Sequence, residues 1–433
     1  MKKTVNKDKV MYFVLKGNML NEETFYKDVF RLRKSSYLRI KDKNIFKSKY
    51  YEFSNLPSIK YKSDNDYANH FYELFYEVIQ NQLLTKDGKV SSMLSGGLDT
   101  SSITCLSDMI VKEKNLKIDL KTYSVTFNDV KERDFKKSYE TNYIEDVINK
   151  LQINSKIIDL DYVDVQKNLA EIQKNYPEPA YHGNKYMDFA IIDEMKRDNR
   201  SVILSGFDGD SVISHGEQYL YELLSKFNFK NFFKQLQLKK KNKNQKFTYL
   251  NAIRGYILPY FIPNKLHLIR GTYYKKFPSY QTSKFIRKDL HINLPIHQMA
   301  KQYQLSSKNY SEFHLNTINT NIWEHVFETQ DLDYGRAGIE VRYPFMDKRL
   351  IDFCLRVPLN QKMKNGITRY ILRNAMEGII PNSIFKRYDK SILSPYYDYS
   401  FEENFLFMQD SILKNNSMLC EILDYDYIKS LEI

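Results

Sequence analysis

Cysteine is scarce in this chain of 433 residues. Cys105, Cys354 and Cys420 are too few and too scattered to frame a disulfide-stapled domain, and none has a second cysteine two residues away as a zinc knuckle requires. Buried thiols are the expectation. Long apolar runs are missing as well: nowhere do about 18 apolar residues follow one another. The basic start, MKKTVNKDKVMYFVLKG, leads into no apolar stretch with a small-residue cleavage site. A cytoplasmic protein with no membrane partner is therefore expected. Acidic residues are outnumbered, 53 Asp and Glu against 66 Lys and Arg, for a net charge of +13. Such a balance admits nucleic acid, an anionic membrane or a phosphorylated substrate as partner. A general richness in Lys, Asn, Ile and Tyr spreads this charge without aiming it. The densest run, Lys230 to Lys246, holds seven lysines and no acid. A solvated helix face is its plainer reading, and a grip on nucleic-acid backbone the alternative.

What is present is length and alternation. The chain is long enough for a large core and two or three domains. Residues 1–65 carry short apolar runs such as Val10 to Leu15 and read as a small β-leaning segment, with residues 66–433 as the main unit. From Ala68 to Leu83, Phe71, Leu74, Phe75, Val78 and Ile79 recur at helical spacing. Strands and helices then alternate: strand Val90–Leu94 and helix Ser101–Lys112, strand Thr122–Phe127 and helix Lys137–Leu151. Strand Lys156–Leu160 and helix Val163–Lys174 follow, and helix Tyr186–Arg197 leads to strand Ser201–Leu204. That order predicts an α/β fold, a doubly wound parallel sheet with ligands at the carboxyl ends of its strands. The C-terminal half reads as mainly helical, with helices from Trp323 to Asp333, Lys348 to Val357 and Thr368 to Glu377.

The most informative segment is VSSMLSGGLDTSS, Val90 to Ser102. Ser95, Gly96 and Gly97 allow a tight turn with N–H groups pointing outward, and Asp99, Thr100 and Ser101 open a helix whose positive dipole end faces the same anion. The turn lacks the Lys of a GxxxxGK[ST] loop and the spacing of a GxGxxG loop. SGGLDTSS instead resembles the pyrophosphate-binding loop SGGxDS of the ATP pyrophosphatases, a HUP-like fold with a PP-loop, and with its flanks it most resembles the asparagine synthetase family. Three further segments agree. Ser205-Gly206-Phe207-Asp208-Gly209-Asp210 is similar to the family's SGxGGD loop. GIEVRYPFMDKRL, from Gly338 to Leu350, is similar to ExRxPFLD, with Glu340 and Arg342 expected as an ion pair and Pro344, Phe345 and Asp347 as a turn before a helix. GITRYILRNAMEGIIPNSIFKRYDKSILSP, from Gly366 to Pro395, matches a helix with ILR, then a proline, then R-x-x-K.

The resemblance implies ATP and Mg²⁺ as cofactors. It places the nucleotide on Leu94, Ser95, Gly96, Gly97, Leu98, Asp99, Thr100, Ser101, Val125, Ser205, Gly206 and Phe207. Asp99 and Asp210 become the metal carboxylates and Lys390 the cation on the α-phosphate, with Arg373 and Arg387 as partners of Lys390. Relatives that use glutamine carry a glutaminase domain with a nucleophilic Cys directly after the initiator Met. Here Lys2 stands in that place, so residues 1–65 are expected to be a remnant of that domain and glutamine hydrolysis is not expected.

The chain departs from the pattern at Phe207, where asparagine synthetases have a Glu and the β-lactam synthetase branch a Tyr, and at Ser211, which replaces a Glu. A phenyl ring moves no proton, so the base is sought elsewhere: Glu328 first, then His182, His215 and Asp208. The expected activity is adenylation of a substrate carboxylate and its transfer to an amine, with release of AMP and pyrophosphate. Its partner would be a small molecule or peptide carrying both groups, as in lasso-peptide macrolactam cyclases, with a precursor peptide and accessory maturation proteins. Glutamine-independent asparagine synthesis, tRNA modification on a similar loop and a catalytically degenerate nucleotide-binding protein remain as alternatives.

Overall fold

The computed structural model describes residues 4–14, 22–54, 57–127, 140–160, 176–179, 185–261, 283–287, 289–290, 310–319, 322–388, 394–414 and 419–431. A five-stranded sheet forms its centre: β3 Lys89–Met93, β4 Asp119–Thr126, β5 Asn154–Asp159, β6 Val202–Leu204 and β7 Glu340–Arg342. Their order is β5-β4-β3-β6-β7, and every pairing is parallel. The chain winds outward from β3 through β4 to β5, then returns to the other side of β3 with β6 and β7. That reversal leaves a crevice between the carboxyl ends of β3 and β6, the place where ligands bind in open α/β sheets.

Alternation along the strands supplies both faces. Val90, Leu120 and Leu204 point into one core layer with Phe71, Phe75, Ile103, Leu106, Ile144 and Val147. Tyr123 and Ile203 point into the other with Ile191, Ile192, Met195 and Tyr334. Helices Asp64–Gln82, Leu98–Glu113 and Thr141–Leu151 thus cover one side, and Lys185–Arg197 with Ile322–Arg336 cover the opposite side. The helix Asp64–Gln82 begins at a capping box, in which Ser63 Oγ accepts from Asp66 N at 3.2 Å while Asp66 Oδ2 accepts from Ser63 N at 2.9 Å.

Beyond β6 the chain is mainly helical, with Ile322–Arg336, Lys348–Arg356, Tyr370–Ala375 and Ser394–Lys414 among its helices. Asp347 caps Lys348–Arg356 by accepting from Arg349 N at 2.9 Å. The lysine-rich run forms the helix Phe229–Asn242, which buries Phe232, Leu236 and Lys239 and turns Lys230, Lys234 and Lys241 to solvent. Helix Val163–Lys174 lies outside the described residues.

The N-terminal segment carries strands, as its sequence predicts, but its first stretch does not. Residues Lys7–Val14 form a helix, because Val10, Met11 and Val14 share a face that packs on Ile286, Ile422 and Leu423 from the far end of the chain. Tertiary burial here overrides the strand preference of Val, Tyr and Phe. Strand character appears further on, in a hairpin of β1 Ser36–Lys41 and β2 Asn44–Lys49.

Candidate active site

The two glycine-bearing loops leave the adjacent strands β3 and β6 and meet. Leu94 N donates to Tyr123 O at 2.9 Å at the sheet's end. Ser95 N and Ser95 Oγ then lie 3.2 and 3.0 Å from Thr100 Oγ1, closing the turn on itself. Gly97 stands at the N-cap of Leu98–Glu113 and offers no side chain to its N–H groups, which leaves that helix end to an anion. The second loop presses directly on the first. A Cβ on Gly206 would stand 2.7 Å from Thr100 Cγ2, and one on Gly209 would stand 2.9 Å from the Asp99 carboxyl carbon. Both positions therefore require glycine for close approach.

Asp99 and Asp210 face each other across this contact. Arg369 Nη1 donates to Asp99 Oδ1 and Oδ2 at 2.9 and 2.8 Å and to Asp210 Oδ1 at 2.5 Å. Arg369 is buried, has left-handed backbone (φ 53°) and stands at the start of the helix Tyr370–Ala375. A cleft of about 360 Å³ opens beside it. Of the residues singled out in the sequence, Ser95, Gly97, Leu98, Asp99, Thr100 and Val125 line it on one side. Gly206, Asp208, Asp210, Arg373 and Arg387 line the other. Leu94, Ser101 and Ser205 are buried behind the loops.

The cationic side is built as a stack. Arg373 donates from Nη1 to Ile384 O at 3.2 Å and from Nη2 to Arg387 O at 2.6 Å, so it fixes the backbone on which Arg387 rides. Burial, reinforced by the charge of Arg369, pulls the Arg373 guanidinium down to about 10. Arg387 in turn donates to Gly96 O at 3.3 Å and to Glu140 Oε1 at 2.9 Å, with its guanidinium 4.1 Å over the Tyr143 ring. Lys390 and His182 lie outside the described residues.

Three expected groups stand elsewhere. The Phe207 ring joins an aromatic cluster with Phe327 at 5.6 Å and Tyr343 at 6.2 Å and does not line the cleft. Glu328 does not line it either: both its oxygens accept from Arg31 Nε, at 3.2 and 3.0 Å. Glu340 and Arg342 do pair, at 2.9 Å, but on the edge strand β7, where Arg342 also ties to Gln82 O and Leu84 O. Nearer the cleft, Asp208 has left-handed backbone and accepts from Ser211 Oγ at 2.6 Å and from the indole N–H of Trp323. His215 Nε2 lies 3.8 Å from Asp210 Oδ2.

Arg369 was not picked out in the sequence. It stands between two named motif residues in a basic chain, and only the fold brings it to both carboxylates. Two hard oxygen donors with open space beside them suit Mg²⁺, which keeps most of its positions for water and phosphate.

A doubly wound parallel sheet whose two glycine-bearing loops converge at its switch point defines an α/β protein of the class that binds its ligands in that crevice. The asparagine synthase family model matches residues 70–432, and the chain belongs to that family. A relative is the asparagine synthetase [glutamine-hydrolyzing] 1 of Bacillus subtilis (strain 168), 26% identical over 312 residues, which make up 71% of this chain and 46% of that one. A probable asparagine synthetase [glutamine-hydrolyzing] of Acanthamoeba polyphaga mimivirus is 30% identical over 122 residues, 25% of this chain and 22% of the relative. The chain thus spans less than half the length of these relatives. No described helix is long and apolar enough to cross a membrane.

Proposed function

We propose that this protein is an ATP-dependent, AMP-forming amide ligase acting on a peptide or natural-product carboxylate. A carboxylate oxygen attacks the α-phosphorus, the bond from that phosphorus to the bridging oxygen breaks, and pyrophosphate leaves. An amine then attacks the acyl carbon, loses a proton and expels AMP, leaving an amide. The single observation that carries the reading is the convergence of Asp99 and Asp210 on one guanidinium beside an uncapped helix N-terminus. Asp99 and Asp210 would hold Mg²⁺, which supplies positive charge to the departing pyrophosphate. Arg387, which lines the cleft on backbone held by Arg373, would bind a phosphate group by exchanging its contact with Glu140, and the family resemblance assigns the α-phosphate to Lys390.

Phe207 supports a substrate other than aspartate with ammonia, because the carboxylate that asparagine synthetases carry there is absent and the ring is packed away among aromatics. Incubation with ATP, Mg²⁺ and hydroxylamine across a panel of aspartate, glutamate and Asp- or Glu-bearing peptides tests the proposal. AMP, pyrophosphate and a peptide hydroxamate are the expected products. ADP and phosphate would overturn the mechanism, and hydroxamate from aspartate alone would return the enzyme to asparagine synthesis.

A further inference from the structure

The hairpin β1–β2 is anomalous for a folded surface. It is joined to no other described strand, so both of its outer edges present unpaired N–H and C=O groups. A lone two-stranded hairpin is marginal in water unless something covers it. Its turn, Asp42-Lys43, has both residues in the left-handed region, the conformation that suits the twist of a two-residue hairpin. Cross-strand pairing puts Leu38, Ile40 and Ile45 on one face and Tyr37 and Phe46 on the other. All five are between 44% and 68% exposed. The hairpin carries five cations, Arg39, Lys41, Lys43, Lys47 and Lys49, against the single acid Asp42, and of these Lys47 pairs with Glu22 and Lys49 with Glu52. Among the described residues no carboxylate pairs with Arg39, Lys41 or Lys43.

Resting on the peptide reading above, we propose that this hairpin is the docking surface for an extended, acidic peptide segment, which adds a strand to the hairpin edge. Backbone groups give the edge its affinity, branched side chains cover the aliphatic face, and alternate acidic side chains meet the cations. The charge argues against a second copy of this chain, since two such hairpins would repel. The unpaired edges argue against a lipid surface, where unsatisfied backbone groups are costly. Aliphatic Leu38, Ile40 and Ile45 fit an apolar side chain better than they fit a nucleobase. The hairpin also leads toward the chemistry. A groove of about 620 Å³ runs past Tyr50, Tyr51 and Phe53 to Trp323 and Phe327. Trp323 donates its indole N–H to Asp208 at the cleft.

The test uses the full-length protein and a fluorescein-labelled dodecapeptide of alternating Glu and Val, blocked at both ends. Fluorescence anisotropy should report saturable binding. Arg39→Glu with Lys41→Glu should weaken it at least tenfold, with the melting temperature unchanged because both sites are exposed. The same peptide N-methylated at alternate residues keeps its charge but cannot pair as a strand, and should also bind at least tenfold more weakly. Equal affinity for the methylated peptide, or for the double variant, would overturn the proposal. So would stronger binding of an oligo-uridine dodecamer or of phosphatidylserine vesicles. Binding needs no ATP, so failure to form AMP would sink the ligase reading while leaving this one measurable.

Discussion

Asp99 and Asp210, carried by two different turns of the sheet, accept hydrogen bonds from one and the same nitrogen, Arg369 Nη1. Removing that guanidinium takes away the donor that the two carboxylates share. Arg369→Ala should therefore destabilise the protein by about 3 kcal/mol in the absence of divalent ions. Millimolar Mg²⁺ should restore part of the loss, because a cation between the carboxylates replaces the missing charge. Thermal melts with and without Mg²⁺ decide it: a variant as stable as its parent, or one indifferent to Mg²⁺, contradicts the pairing.

Two glycines should respond in opposite directions to the same change. Gly206→Ala drives a methyl into Thr100 and pries the loops apart, costing about 1–3 kcal/mol and lowering turnover by an order of magnitude. Gly335 lies in the helix Ile322–Arg336 with nothing within 4 Å of its would-be Cβ. Gly335→Ala should stabilise by about 0.5–1 kcal/mol and leave turnover alone. Denaturant unfolding of the two variants side by side checks both signs.

Lys362 is buried with its Nζ 2.8 Å from His314 Nδ1. Nε2 of that ring lies 2.9 Å from Ser211 O and 3.1 Å from Val212 O, so its N–H points there and Nδ1 is left to accept. Burial pulls Lys362 down to about 8, and burial together with the Lys362 charge pulls His314 down to about 3. Above the lowered value the folded protein has shed a proton that the unfolded chain still holds up to its ordinary 10.5. Unfolding free energy should accordingly rise with pH from about 8 to about 10.5, by at most about 1.4 kcal/mol per unit from this group. Lys362→Met should flatten that rise. An identical slope in the variant would assign it to other groups.

Lys390→Ala should reduce kcat by roughly 10²–10³, the usual consequence of losing one preorganised donor to a developing charge. KM for ATP should change far less, because the loops and Arg387 remain. Single-turnover AMP formation separates the two effects. A variant with unaltered kcat would remove Lys390 from the chemistry.

The two loops were legible because strand, glycine turn and helix start are local: SGGLDTSS and SGFDGD each fit within one turn of chain, and the alternation around them announced the sheet. Arg369 was not, since its meaning lies in a contact across 159 residues to Asp210. Glu328 shows the complementary failure. Spacing put it on the right helix, but Trp323 and Phe327 lie four apart and face the second loop. Glu324 and Glu328, each one position on, are rotated about 100° toward Arg33 and Arg31. β7 escaped notice because a three-residue edge strand carries too short a period to read. The N-terminal helix escaped because the residues that bury its apolar face come from the opposite end of the sequence.

Trp323 is the only tryptophan in the chain, and its indole nitrogen is anchored to a carboxylate at the mouth of the cleft. A single indole thus sits at the junction of the groove and the second loop, where a change in its fluorescence on titration with ATP would be a label-free signal from that loop.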